Sequence, residues 1–136
     1  SAYPPILQLN HIEGPVKIDG AGGQIEFTPF EVTHGQITAL GFRIGPVAYL
    51  PDVSAMPPAA WEALAGIDCW ILDALRRDPH PSHSHLAQSI EWIDQSNVAR
   101  AVLTNMHNDL DYATLQVELP KHILPAFDGM VLSYDL

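Results

Sequence analysis

The apolar pattern begins late. From Ser1 to Gly23 the breakers Pro4, Pro5, Gly14, Pro15, Gly20, Gly22 and Gly23 interrupt every period, so this lead-in is predicted to be extended chain and turns. Ile25, Phe27 and Val32 within 24–32, then the alternation of Leu40, Phe42 and Ile44 within 37–44, predict two strands joined near His34-Gly35. Val47-Ala48-Tyr49-Leu50 is a short continuous apolar run followed by Pro51-Asp52, the pattern of a buried strand delivering an acid at its C-terminal end.

After Ser54 the period lengthens. Trp61, Leu64 and Ala65 stand at i, i+3 and i+4 behind Pro57-Pro58, which suits a first helical turn, and Gly66 stops the helix. A strand over 67–73 again ends in an acid, Asp73. The prolines of Asp78-Pro79-His80-Pro81-Ser82-His83-Ser84-His85 make that run a loop, and Ser84 is the expected N-cap of a helix with Leu86, Ile90 and Ile93 on one face. Ala101-Val102-Leu103-Thr104 reads as a buried strand, 111–119 as a helix with Leu115 and Leu119 inward, and 130–134 as a closing strand. Strands alternating with helices from Val47 onward give an α/β class and one domain over 1–136, since neither half is long enough to fold alone.

Composition narrows the choices. The chain has 136 residues and a formal net charge of −10, with 47% apolar, 16% charged and a single cysteine, Cys69. That charge leaves no basic stripe and argues against a nucleic-acid partner, while a small anionic ligand held through cations stays compatible. One cysteine cannot form an internal disulfide, and no apolar run approaches 18 residues, which excludes a helical membrane span and points to a reducing cytoplasm. Ordinary domains carry about 25% charged residues. The shortfall means either that the chain's own helices cover both faces of the sheet or that one face meets another polypeptide.

In an open α/β sheet, ligands collect beyond the carboxyl ends of the strands. Three segments there carry histidine or carboxylate: Thr33-His34-Gly35, Leu50-Pro51-Asp52 and Leu103-Thr104-Asn105-Met106-His107. Imidazole and carboxylate suit Zn²⁺ or Mn²⁺, but a lone strand-end His or Asp also serves as a cap or a surface group. Cys69, Trp61, Trp70 and Trp92 read as core. Gly20-Ala21-Gly22-Gly23 is a turn, because no Lys-Ser/Thr and no helix follow it. His11, His80 and His122 receive no role.

Taken with their order, these residues make 25–134 resemble the C-terminal half of the metallo-β-lactamase-fold hydrolases, most closely the phosphoribosyl cyclic phosphate phosphodiesterase branch. Thr33-His34-Gly35 before Leu40-Gly41-Phe42-Arg43-Ile44 matches the third-motif histidine, Leu50-Pro51-Asp52 the bridging aspartate, and Leu103-Thr104-Asn105-Met106-His107 the last-motif histidine. The resemblance implies half of an αββα sandwich, a mixed sheet with helices on one face, and two divalent metal ions, Zn or Mn. His34, Asp52 and His107 are then the metal ligands. It further implies a dinuclear hydrolase acting on a small phosphodiester or cyclic phosphate. A bridging carboxylate such as Asp52 can hold two cations about 3.5–4 Å apart, so that a water between them is acidified and aimed at phosphorus.

The family's first motif, His-x-His-x-Asp-His, with four of the seven usual ligands, does not occur in the sequence. The expectation is therefore a half-enzyme, inactive alone, that awaits an N-terminal half or self-associates as a dimer. The alternative is a non-catalytic α/β domain that pairs with another polypeptide through an exposed sheet face. Within the resemblance, His85 takes the place of the non-ligand histidine directed at the scissile phosphate, with His83 as its rival; a solvated loop histidine is the plain alternative. Asp73 either orients a ligand or caps a turn. Asp109 and Asp111 read as caps of the following helix in preference to an acid–base pair.

Overall fold

Residues 4–136 are described by a computed structural model. One sheet runs in chain order through β1 (Val16–Gly20), β2 (Gly23–His34), β3 (Ile37–Ile44), β4 (Val47–Leu50), β5 (Cys69–Asp73), β6 (Arg100–Thr104) and β7 (Ile123–Pro125). Pairing is antiparallel from β1 to β4 and parallel from β4 to β7. The parallel crossovers carry α1 (Pro58–Ala63), α2 (Leu86–Ser96) and α3 (Tyr112–Glu118). No helix is long and apolar enough to cross a membrane among the described residues.

All three helices pack on the same face. Phe30, Val32, Ala48, Leu50, Trp70, Leu72, Ala101, Leu103 and Ile123 alternate toward it and form one core with Ala60 and Leu64 of the first crossover, Leu86 and Ile93 of α2, and Leu115 of α3. Arg43 also points this way. Its guanidinium donates to the carbonyls of Ala63 and Ala65 at 3.0 and 2.6 Å, satisfying the end of a helix of only six residues. Among the described residues no helix lies on the opposite face. The register places Pro29, Phe42, Tyr49, Ile71, Val102 and Leu124 in a single row across it. The expected mixed α/β sheet with helices on one face is thus the fold observed.

Gly41 shows how tightly the helical side is packed. A Cβ there would lie 2.5 Å from the Phe30 ring and 3.0 Å from Leu50. Gly41→Ala should cost about 1–3 kcal/mol by overpacking. Urea unfolding checks this, and an unchanged midpoint would show that the ring yields freely.

Three local expectations differ from the structure. Part of the lead-in is a strand: Val16 to Gly20 pairs with β2 across the Ala21-Gly22 turn, and the alternation Val16, Ile18 against Lys17, Asp19 is its short signal. The residues 130–134 form no strand. The last strand is Ile123–Pro125, and the following tail crosses the helix-free side, with Tyr134 near Cys69 and Leu136 beside Gly45. Val131 and Leu136 stay exposed along it, so the run lies on the sheet without a ladder partner. Finally, α2 is capped at His85 and not at Ser84, whose hydroxyl is spent on the Asp73 carbonyl at 2.7 Å.

Candidate metal centre and acid–base pair

Antiparallel pairing from β2 to β4 brings the C-terminal end of β2 to the same sheet edge as the ends of β4, β5 and β6. His34, Asp52, Asp73 and Asn105 therefore meet although up to 71 positions separate them in sequence (105 − 34). Backbone contacts lock the edge. Ser54 N–H donates to the Thr33 carbonyl at 2.7 Å, and Gly35 N–H donates to Ser54 Oγ at 2.9 Å, fastening the loop that carries Asp52 to the turn that carries His34. Gly35 has φ +63° and its missing Cβ would stand 2.9 Å from Ser82 Cβ, so both its conformation and its space call for glycine.

Among the described residues, one group of three or more His, Cys, Asp or Glu side chains brings its ligand atoms within 4.8 Å of one another: His34, Asp52 and His83. His34 is oriented by Nδ1–H donated to the Ser82 carbonyl, which leaves the Nε2 lone pair for a cation. The rings of His34 and His83 lie edge to face with centroids 4.6 Å apart. Nδ1 of His83 is 2.8 Å from Oδ2 of Asp73 and 3.8 Å from Oδ1 of Asp52.

Asp73 is fully buried. Its Oδ2 also accepts from Val53 N–H at 3.3 Å, and its Oδ1 accepts from Asn105 Nδ2 at 3.3 Å. Burial pushes its carboxyl above the ordinary carboxylate range, and bonds from His83, Val53 and Asn105 draw it back down. Its carboxylate thus meets both a loop histidine, His83, and the backbone of the turn after β4 at Val53. His80 lies 5.3 Å from His83, ring to ring, and its imidazole is held below the ordinary histidine value by desolvation and by Arg76, His83 and His34.

The sequence-derived candidates divide. His34 and Asp52 come together. His107 lies outside the group: its side chain is 62% exposed and its Nδ1 meets Asp109 at 3.3 Å, while its backbone N–H is tied to Leu75. The residue of that segment that reaches the centre is Asn105, whose Nδ2 is 3.2 Å from the Pro51 carbonyl and 3.4 Å from His83 Nδ1. Its φ of +59°, a conformation Asn tolerates better than most residues, turns the chain immediately after β6. His85 is also outside the group, its carbonyl engaged by Ser89 in the first turn of α2. Asp111 caps α3 through Thr114 N–H and Oγ at 2.8 Å, as expected, and these bonds hold its carboxyl below the ordinary range. Asp109 instead receives Arg77 N–H.

With His83 Nδ1 committed to Asp73, His34 and Asp52 by themselves fall short of the three or four protein ligands of a tetrahedral site. A pair of cations needs more donors than the edge supplies. Residues 2–106 match the family described as the Beta-lactamase superfamily domain. A new diphosphatase from the PhnP family is 34% identical and superposes with a TM-score of 0.85 over 93% of this chain and 48% of its own. Zinc-bound PqqB from Methylobacterium extorquens, at 16% identity and a TM-score of 0.65, covers 90% of this chain and 55% of that one and shares the fold. An octanoyltransferase from Porphyromonas gingivalis is 31% identical over 94% of this chain but 26% of its own length. The chain thus spans about half of the solved relatives and about a quarter of that curated one. It belongs to the beta-lactamase superfamily.

Proposed function

We propose that this chain is the C-terminal half of the catalytic unit of a metal-dependent hydrolase of phosphodiester or cyclic phosphate substrates. The observation that carries the reading is the convergence of His34, Asp52 and His83 at one sheet edge, with buried Asp73 behind His83. The 34% identity to a PhnP-family diphosphatase supports phosphoester chemistry. His34 and Asp52 would contribute this chain's share of the ligands for two divalent cations, Zn or Mn. Bound there, such cations would supply Lewis-acid charge stabilisation at phosphorus and acidify the attacking water.

The histidine directed at phosphate is then His83. Its Nδ1–H given to Asp73 fixes the ring, and in the imidazolium form Nε2–H is the proton that passes to the ester oxygen. As the P–O bond to the leaving alkoxide breaks, that oxygen gains the His83 proton, while water adds its oxygen to phosphorus and releases a proton.

The remaining ligands would come from an N-terminal half, seated on the helix-free apolar face. The chain alone should lose metal on desalting and leave bis(p-nitrophenyl) phosphate uncut, and should gain both metal retention and turnover when an N-terminal segment bearing His-x-His-x-Asp-His is supplied. Two metals retained per isolated chain would overturn the half-site reading. A dimer in which the apolar faces cover each other would not, because that contact only substitutes for the missing half.

A further inference from the structure

We propose that the cleft beyond the ends of β6 and β7 receives the non-reacting part of the ester, and that this part is an aromatic group bearing hydrogen-bond donors, as in a nucleoside. This rests on the phosphoester reading above. The cleft has a volume of about 430 Å³ and is lined by Thr104, Asn105, Met106, Ala126, Phe127 and Asp128. That is the size of a small-molecule pocket.

Asn105 connects it to the chemistry. Asn105, one of the lining residues, has its Nδ2 3.4 Å from His83 Nδ1 and 3.3 Å from Asp73 Oδ1, so a single residue joins the cleft to the acid–base pair. Phe127 supplies the aromatic platform. It is 53% exposed, yet its ring is held edge to face by Tyr112 at a centroid distance of 5.9 Å. A fixed, uncovered aromatic face gains by stacking on a flat ring, and loses little entropy in doing so.

The polar groups set the direction. Asp128 and Thr104 are among the lining residues, and a carboxylate and a hydroxyl there disfavour a phosphoryl group and accept from O–H or N–H donors. The phosphoryl end consequently lies toward His34 and His83, and the donor-bearing ring toward Phe127 and Asp128.

The test is an NMR titration of the isotope-labelled chain in EDTA with adenosine, adenosine 5′-monophosphate and methyl phosphate as probes. Saturable shifts at Thr104, Asn105, Phe127 and Asp128 are expected with both adenosine compounds and not with methyl phosphate. Phe127→Ala should weaken adenosine binding about tenfold, the scale of one ring-on-ring stack, and Phe127→Trp should preserve it. Equal binding by wild type and Phe127→Ala, or shifts confined to other surfaces, would overturn the proposal. Because EDTA removes any cation, adenosine binding succeeds or fails independently of the metal-hydrolase reading, which metal retention tests separately.

Discussion

His83→Ala should lower kcat of the assembled hydrolase by about 10²–10⁴ and leave its metal content unchanged. That is the scale of a lost general acid. The ring sits between the buried Asp73 carboxylate and the open edge where His34 and Asp52 stand, in position to pass a proton outward without being held by the cations. His85→Ala, two positions on, removes a ring outside that group and should change kcat far less. Metal analysis beside steady-state kinetics separates the possibilities. Loss of metal with His83→Ala would make His83 a ligand, and a larger fall with His85→Ala would return the phosphate-directed role to His85.

Asp73 should be the residue whose removal harms both fold and site. Asp73→Ala leaves Val53 N–H and His83 Nδ1 without the acceptor that the fully buried carboxylate supplies, while Asn105 Nδ2 keeps the Pro51 carbonyl. Each buried donor left unpaired costs about 1–3 kcal/mol. Thermal unfolding should therefore fall by several degrees or more. Asp73→Asn keeps the volume and one acceptor oxygen, so it should fold. Its amide N–H₂ must face at least one of the donors that now meet a carboxylate, so the His83 ring loses its orientation and kcat should drop by about 10²-fold or more. A folded Asp73→Asn enzyme with parental kcat would remove Asp73 from the mechanism. An Asp73→Ala chain as stable as wild type would remove it from the stability account.

The strand ends are where sequence reading of the site was strongest. His34 and Asp52 each follow directly on a recognisable apolar strand, and the bonds between Ser54, Thr33 and Gly35 keep them where that order suggests. The same strand-end rule pointed to Asn105, the first residue past β6, as much as to His107, three past it. Residue type drew attention to the imidazole instead. Among His80, His83 and His85 no such rule discriminates, because three histidines within six positions of one loop are chemically identical until a partner selects one.

That partner is Asp73, ten residues earlier, and its choice depends on how the loop closes over β5. Ser84 and Ser89 both donate to the Asp73 carbonyl, at 2.7 and 2.6 Å, which anchors the loop with His83 at the carboxylate and leaves His85 to begin α2. Likewise, the tail 130–134 carries a strand-like pattern, but whether an apolar run pairs or merely covers is settled by which sheet edge is free and which face is bare.

By itself the sequence determined the α/β class, the order of its main elements and the strand-end placement of His34 and Asp52, since these follow from periodicity and from what comes directly after each strand, whereas the mixed sheet with helices on one face was implied by the family resemblance. Only the tertiary structure decided that His83 stands with that pair, that Asn105 and not His107 reaches the group, and that Phe127 lies exposed in a cleft that Asn105 also lines. The physical reason is that these depend on contacts between loops far apart in the chain, where a few hydrogen bonds to one buried carboxylate choose among residues that the local pattern leaves equivalent.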